Sequence, residues 1–181
     1  STLQGLEAKR TLWERIAREV PGVRLRVICD RFPDFGPMPV VGIPWAEASE
    51  AQALAAGDVG ISWIPDDLWS RGKCGLKVLQ YQAAGLPVLA NPVGVHPEMI
   101  TPDVSGILVD SDEAWVEAVR TLAADPDMVR RLGENARANA EARYSIEAWG
   151  ETFATTVLGH HRSITRRRRR ARAAAVYAGR T

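Results

Sequence analysis

Apolar positions along the chain follow two alternating periods, which predict helices and strands in turn. Steps of three and four residues between Leu3 and Val20 are typical of an amphipathic helix. Short apolar runs bounded by turn residues predict strands at Arg24–Cys29, Val40–Ile43, Val59–Ile64, Pro87–Ala90 and Gly106–Val109. Further helices are predicted at Ser49–Ala56, after the Gly72 loop, at His96–Ile100, Ser111–Ala124, Pro126–Ala142 and Ser145–Gly159.

This alternation predicts an α/β fold: a Rossmann-like, doubly wound parallel sheet with helices on both faces. In such sheets a ligand binds outside the carboxyl ends of the strands. The pattern demands a strand before the first helix, so we expect the first strand to lie upstream of Ser1. A first residue other than Met is also typical of a piece of a longer protein.

The charges divide the chain into an acidic body and a basic tail. Of the 181 residues we assign 1–159 to one domain and 160–181 to an Arg-rich tail. The tail holds eight arginines and no acid, whereas the body has 15 basic and 22 acidic side chains, a net charge of −7. The body therefore does not favour nucleic acid. For the tail, a solvated run and contact with an anionic membrane stay open, and no specific nucleic-acid partner is expected.

Two cysteines give neither a disulfide framework nor the spacing of metal ligands, which suits a reducing cytosol. The sequence also lacks an apolar run of 18 residues, so we expect no membrane-spanning helix. We expect a cytoplasmic protein, peripheral to the inner face of the membrane if the tail binds lipid. Asp110-Ser111-Asp112 has the acid-x-acid spacing of some metal sites. It follows a predicted strand and opens a helix, so Ser111 is expected to be a helix cap, with the metal reading the weaker alternative.

The segment from Ser70 to Ala90 predicts a phosphate site. Three cations, Arg71, Lys73 and Lys77, are expected in the first turn of its helix, where unpaired N–H groups already carry partial positive charge. An anion bound at the helix start would explain them. On that helix Lys73, Lys77 and Gln80 share one polar stripe, which indicates either a cleft wall or an ordinary surface stripe.

Several segments in this order and spacing resemble a known family. They are Asp58–Pro65, Gly72–Val88, Asn91–Glu98, Gly106–Val109, Arg131–Arg137 and Tyr144-Ser145, about half of the chain. Together they resemble the C-terminal, donor-binding domain of a GT-B glycosyltransferase of the group 1 or family 4 type. The resemblance implies that a nucleoside-diphosphate sugar binds between two Rossmann domains and that the sugar is transferred with retained configuration. It implies no metal or other cofactor, and an acceptor bound by an N-terminal domain that this sequence lacks.

The resemblance also implies roles for individual residues. The family's two glutamates, eight positions apart, fall on Gly72 and Gln80, so this sequence departs from the signature. Lys73 is implied as the catalytic group that stabilises the leaving phosphate, with the backbone of Lys73–Leu76 holding the diphosphate and Gln80 meeting the ribose. The implied donor-binding residues are Gly72, Cys74, Gly75, Leu76, Lys77, Gln80, Trp45 near the base, Asp66, Asp67, Trp69 and Ser70 around the sugar, and Arg71.

Two other functional classes stay open beside the enzyme. The missing glutamates suit a catalytically inactive module that binds a sugar nucleotide. The predicted phosphate site alone also suits a phosphate-ligand or regulatory Rossmann domain unrelated to sugars. His96 precedes a helical turn and is interpreted either as a loop residue or as a donor contact. The helix Ser145–Gly159 resembles the family's final helix, which crosses to the N-terminal domain.

Overall fold

A computed structural model describes residues 2–158, with the side chain of Thr2 left out. The predicted α/β fold is confirmed, with parallel strands between helices. The strands are β1 (Leu25–Ile28), β2 (Val40–Ile43), β3 (Gly60–Ser62), β4 (Val88–Ala90) and β5 (Gly106–Leu108). The helices are α1 (Thr2–Ala8), α2 (Arg10–Glu19), α3 (Glu50–Ala55), α4 (Leu68–Arg71), α5 (Leu76–Ala83), α6 (His96–Met99), α7 (Asp112–Ala124) and α8 (Pro126–Tyr144), with a 3-10 turn at Glu47–Ser49.

The predicted first helix is divided in two at Lys9. The Lys9 N–H donates to the Leu6 carbonyl at 3.1 Å, which tightens the chain locally. The indole of Trp13 donates to the same carbonyl at 2.8 Å, so the Leu6 oxygen keeps partners at the break. The Lys9 ammonium forms an ion pair with Asp112, at an N···O distance of 2.8 Å. One amphipathic pattern therefore covers two helices, because the three- and four-residue spacing of its apolar positions continues across Lys9.

The strands form two parallel sheets in the described part of the chain. β1 pairs with β2, and β3, β4 and β5 pair in that order. Leu25 lies opposite Val40 in the first sheet. In the second sheet Gly60 lies opposite Val88, which lies opposite Gly106. All three residues of β4 are buried, as expected for the central strand of a parallel sheet.

The core joins both sheets to their helices. Leu12, Trp13 and Ile16 of α2 pack in one cluster with Leu25 of β1 and Leu89 of β4. The rings of Trp13 and Trp115 of α7 meet edge to face, with centroids 5.9 Å apart. Such aromatic pairs add about 0.5–1.5 kcal/mol beyond the area they bury. Helix α5 packs on β3 and β4, so the start of α5 is fixed relative to the carboxyl end of β3.

The chain divides into two compact units, Ser1–Glu141 and Ala142–Thr181. Within the second unit, residues 146–158 are helical, and the Ser145 hydroxyl accepts from the N–H of Ala148 at 3.1 Å. The helix predicted after Ser145 is therefore confirmed as far as residue 158. The Arg-rich tail predicted at 160–181 lies outside the described residues. Across residues 2–158, no helix combines the length and the apolar character needed to cross a membrane.

Candidate functional site

A cavity of about 450 Å³ opens at the carboxyl end of β3. This is the edge of a parallel sheet at which ligands bind in doubly wound folds. One wall is the loop from Gly72 to Lys77, which runs into α5. The cavity is lined by Ser62, Ile64, Gly72, Lys73, Cys74, Gly75, Leu76, Lys77, Val95 and His96. The structure thus brings six of the predicted site residues together.

The helix behind this wall begins at Leu76, later than the sequence predicted. Arg71 ends the separate short helix α4, and Lys73 lies in the loop between the two helices. The expectation of three cations in one first turn is therefore wrong, and so is the stripe that joined Lys73 to Gln80. The physical reason is Gly75, whose φ of +70° is left-handed and cannot continue a right-handed helix.

Gly75 also allows a close approach between the wall and the next loop. A Cβ built on Gly75 would lie 2.4 Å from the Met99 Sδ and 2.8 Å from a Val95 methyl carbon. Real Cβ atoms do not approach other atoms so closely, so this position requires glycine on steric and conformational grounds. The loop shape that places Lys73 and Cys74 at the cavity therefore depends on this one residue.

Within the described residues, some backbone N–H groups of the wall have a hydrogen-bond partner and others have none. The N–H of Gly72 donates to the Trp69 carbonyl and that of Lys73 to the Ser70 carbonyl, both at 3.2 Å. The expectation that the Lys73 amide is open to a phosphate is therefore wrong. Among residues 2–158, no hydrogen-bond partner is found for the N–H groups of Cys74, Gly75, Leu76 and Lys77. These four amides are the donors that an anion in the cavity would meet.

The three cations differ in how far a carboxylate already neutralises them. Arg71 forms a two-pronged bond to Asp66, with N···O distances of 2.6 and 2.9 Å. This guanidinium lowers the pKa of Asp66, and the carboxylate raises that of Arg71. The Lys77 ammonium lies 3.8 Å from Glu50, beyond hydrogen-bond distance. Lys73 has no ion pair within the described part of the chain.

Asp67 and Ser70 bond to one another at the start of α4. The Asp67 carboxylate accepts from the Ser70 N–H at 2.7 Å and from its hydroxyl at 3.3 Å, which is the arrangement of a helix N-cap. Ser70 is 1% exposed. By contrast Trp69 and Trp45 present their indoles to solvent, 82% and 49% exposed. Trp45, Trp69 and the pair Asp66–Arg71 do not line the cavity.

The two positions of the family's glutamates have different surroundings. Gly72 is exposed, and a Cβ built there comes no closer than 3.6 Å to another atom, so a larger side chain fits. Gln80 lies on α5 and outside the cavity lining. Its Oε1 is buried and has no hydrogen-bond partner among the described residues. A buried amide oxygen of this kind needs a donor, which a ligand hydroxyl is able to supply.

The sequence indicated nothing of the hydrogen bonds that hold the cavity floor. Asn91 follows β4, and its amide bonds both ways to the Ile64 backbone, at 2.7 and 3.1 Å. His96 is buried, with Nδ1 2.8 Å from the Asn91 carbonyl and Nε2 3.1 Å from the Ser62 hydroxyl. Because a carbonyl only accepts, Nδ1 carries the proton and Nε2 accepts from Ser62. His96 thus belongs to the floor, a role that neither sequence interpretation contained.

Burial also decides the charge of His96. Desolvation lowers the pKa of the imidazole, and the bond to the Asn91 carbonyl opposes this shift. The ring therefore stays neutral at neutral pH. The partners Ser62 and Ile64 lie 34 and 27 positions before His96 and Asn91, so no local pattern in the sequence indicated these hydrogen bonds.

The acid-x-acid segment forms a helix start, as predicted. Ser111 caps α7 by accepting from the Ala114 N–H at 3.2 Å. Asp112 pairs with Lys9. Over residues 2–158, no three His, Cys, Asp or Glu side chains come together as a metal site.

Most residues that line this cavity lie in a segment that matches a known protein family. Residues 69–139 match the model of glycosyl transferases group 1. A D-inositol 3-phosphate glycosyltransferase of Segniliparus rotundus is 41% identical over 76 residues, which cover 41% of this chain and 17% of that protein. The chain therefore matches less than a quarter of the length of this relative.

Two solved structures show the same fold. Sucrose-phosphate synthase of Thermosynechococcus elongatus superimposes with a TM-score of 0.65 at 18% identity, over 86% of this chain and 43% of that one. The C-terminal domain of a glycosyl transferase group 1 family protein from Francisella tularensis gives 0.58 at 19% identity, over 79% of this chain and 82% of that one. The predicted resemblance is confirmed: residues 69–139 match the group 1 glycosyltransferase model, and the chain shares its Rossmann-like fold with the two solved glycosyltransferase structures.

Proposed function

We propose that this chain is the donor-binding part of a retaining glycosyltransferase that uses a nucleoside-diphosphate sugar and needs no metal. The observation that carries the proposal is the Gly72–Lys77 wall of the cavity, where two lysines line the space and the N–H groups of residues 74–77 have no partner among residues 2–158. N–H groups at a helix start and ammonium side chains both stabilise phosphate oxygens. The relative from Segniliparus rotundus carries the name of a glycosyltransferase, which supports the same class of reaction.

In the proposed reaction the bond between the anomeric carbon and the terminal phosphate oxygen breaks. The acceptor hydroxyl oxygen bonds to that carbon, and the hydroxyl releases its proton. The departing nucleoside diphosphate carries one more negative charge than it did in the donor. We assign Lys73, which lines the cavity and whose ammonium has no carboxylate partner within residues 2–158, to stabilise that charge. Lys77 also lines this wall, and its ammonium lies 3.8 Å from the Glu50 carboxylate.

The remaining donor contacts are assigned by position. The backbone of Cys74, Gly75 and Leu76 holds the diphosphate. We assign the Oε1 of Gln80, which has no hydrogen-bond partner among the described residues, to accept from a ribose hydroxyl. The exposed indole of Trp45 lies in the loop after β2 and stacks on the base. The side chains proposed to border the sugar are Asp66 and Trp69, on a loop that the Asp67–Ser70 bond and the Arg71–Asp66 pair hold in shape.

A titration with sugar nucleotides tests the proposal. The 181-residue chain is mixed in turn with UDP-glucose, GDP-mannose and ADP-glucose, and saturation-transfer NMR reports which protons of each donor contact the protein. We expect one nucleotide to show transfer to both its ribose and its sugar, and inorganic pyrophosphate to displace it. Binding of pyrophosphate without any of the three nucleotides supports the alternative of a phosphate-ligand domain. Binding of none of the four contradicts the proposal.

A catalytically inactive sugar-nucleotide module is the second candidate, because Gly72 offers no side chain where the family has a glutamate. Transfer or hydrolysis of the donor by the whole polypeptide that contains this chain separates the two. An enzyme releases the nucleoside diphosphate, whereas a module binds the donor unchanged. Gly72→Glu is expected to be tolerated under either candidate, since a Cβ there has room.

A further inference from the structure

Two buried polar residues, Ser62 and His96, line the same cavity as the Gly72–Lys77 wall. Nδ1 of His96 donates to the Asn91 carbonyl at 2.8 Å, and the Ser62 hydroxyl donates to Nε2 at 3.1 Å. Both ring nitrogens therefore have a partner. The hydroxyl hydrogen of Ser62 is directed at the imidazole and not at the cavity. We call these two side chains the Ser62–His96 pair.

The neutral Ser62–His96 pair offers no donor to an anion. A hydroxyl has one hydrogen to donate and two lone pairs with which to accept. Because the hydrogen of Ser62 is engaged by Nε2, the hydroxyl presents only lone pairs to a ligand in the cavity. The oxygens of a diphosphate are acceptors as well, so contact with the neutral pair would bring unpaired acceptors together and remove their hydration.

One added proton reverses the polarity of the pair. In an imidazolium both nitrogens donate, so Nε2 binds the Ser62 oxygen and the hydroxyl hydrogen is released to turn toward the cavity. Ser62 is then able to donate to a phosphate oxygen, and hydrogen bonds to an ionised acceptor are among the strong ones in proteins. The bond from Nδ1 to Asn91 is unchanged, because that nitrogen donates in both states. The change therefore requires rotation of one hydroxyl group and no movement of the ring.

The surrounding charges determine when this proton is bound. β3 and β4 contribute no titratable side chain. The titratable side chains on the other elements around His96 are Lys73 and Cys74 of the loop, Lys77 and Tyr81 of α5, Glu98 of α6, and Asp66, Asp67 and Arg71 around α4. Without an anion, burial lowers the pKa of the imidazole, and the positive charges of Lys73 and Lys77 do not favour an imidazolium. A bound diphosphate brings the opposite charge and favours it.

We propose that Ser62 is a further donor-binding residue, and that His96 takes up one proton from solvent as the diphosphate binds, which turns the Ser62 hydroxyl from the imidazole to a phosphate oxygen. The inference rests on the proposed function, since it requires a diphosphate in this cavity. Ser62 touches the ligand, whereas His96 acts through Ser62 and is a positioning residue. Because the donor and the proton favour each other's binding, affinity for the donor should rise as the pH falls below neutrality.

Isothermal titration calorimetry counts the protons that accompany binding. UDP-glucose, GDP-mannose and ADP-glucose are each titrated into the 181-residue chain, in buffers of the same pH that differ in their ionisation enthalpy. The diphosphate of these donors is esterified at both ends, so its own charge stays constant near neutral pH. We expect uptake of up to about one proton per donor bound at pH 6.5, and an affinity that rises up to about tenfold between pH 7.5 and pH 6.5.

His96→Gln is the matched control. Glutamine keeps an acceptor for the Ser62 hydroxyl, and the other two histidines of the chain, His160 and His161, stay in place. We expect this variant to bind the donor without proton uptake and with an affinity that is nearly independent of pH. Ser62→Ala should lose up to about tenfold more affinity at pH 6.5 than at pH 7.5, whereas a merely structural role would lower affinity equally at both.

Nitrogen NMR of the unmodified chain, with labelled histidine, covers a variant that fails to fold. At pH 6.5 most of the Nε2 of His96 is expected to lack a proton in the free protein and to carry one at saturation with donor. Binding without proton uptake, uptake that persists in His96→Gln, or an Nε2 that stays unprotonated at saturation would overturn the inference and leave the proposed donor site standing. Binding of none of the three donors would contradict both.

Discussion

The segment from Asp66 to Lys77, which leads from the loop after β3 into the first turn of α5, divides into two halves of six residues that use their polar groups in opposite ways. In Asp66–Arg71 the polar side chains form their hydrogen bonds within the segment, through the Asp66–Arg71 pair and the Asp67–Ser70 cap. In Gly72–Lys77 the amides from Cys74 to Leu76 and the Lys73 ammonium have no partner within residues 2–158. The first half holds the loop in shape, and the second half is left free to bind.

The largest effect is expected at the glycine that shapes the open half. Gly75→Ala should destabilise the fold by about 2–5 kcal/mol, because a left-handed backbone costs about 1–2 kcal/mol and crowding a packed site about 1–3 more. The predicted clash is with Met99 and Val95. Urea unfolding followed by circular dichroism measures the change.

Gly72→Ala is the matched control, since its Cβ has room and its φ of −83° is ordinary. We expect a change below about 1 kcal/mol there. Equal destabilisation by the two variants would show that the loop does not depend on the left-handed residue.

The next effect separates Lys73, which has no ion pair within residues 2–158, from Arg71, which is paired with Asp66. Lys73→Ala should weaken binding of UDP by about 1–3 kcal/mol, roughly 5- to 150-fold, which is the range for a charge-assisted hydrogen bond. Arg71→Ala should change affinity far less, because Asp66 already neutralises that guanidinium. Isothermal titration calorimetry at fixed salt measures both variants. Equal losses in the two would mean that overall charge, and not the Lys73 position, attracts the diphosphate.

A smaller effect is expected in the self-satisfied half. Asp67→Ala removes the N-cap of α4 and leaves the buried Ser70 without its partner, so we expect a loss of about 0.5–2 kcal/mol in stability. Asp66→Ala breaks a pair that is open to solvent and should cost less. Thermal unfolding compares the two. A larger loss from Asp66→Ala would show that the Asp66–Arg71 salt bridge, and not the N-cap, holds the loop in shape.

The smallest effect concerns the floor beneath the open half. Because burial lowers the pKa of His96 below its usual 6.5, the unfolded chain binds more protons below that pH. The free energy of unfolding should therefore fall as the pH drops from about 6.5 toward the lowered pKa of the folded state. His96→Gln should lose this part of the pH dependence, measured by urea unfolding between pH 7 and pH 5. An unchanged slope in the variant would show that other groups titrate there.

The fold was largely predictable because each element carries its own periodic signal. β2 was predicted to the residue, and the other strands lie inside their predicted ranges. The start of α5 was not predicted, because the apolar pattern extends back through Cys74. The residues around Gly75 do not indicate that its backbone is left-handed. The first helix was predicted as one piece because Lys9 interrupts the backbone without interrupting the period.

The candidate site was predictable only in part, for the same reason. The Gly72–Lys77 wall was found because its cations and glycines are contiguous in sequence. The Ser62–His96 and Asn91–Ile64 bonds were not, since their partners are 27 or 34 positions apart and meet only when β3 and β4 pair. Whether Arg71, Lys73 or Lys77 is free also depends on which carboxylates fold next to them.

The sequence by itself determined the parallel α/β class, the order of the elements and the stretch that lines the cavity, because periodicity and residue type are local properties. Only the tertiary structure decided which amides and ammonium groups remain without partners among residues 2–158, and that His96 is a buried support. Those properties depend on distance between segments remote in sequence, and hydrogen bonding and desolvation fall off within a few ångströms.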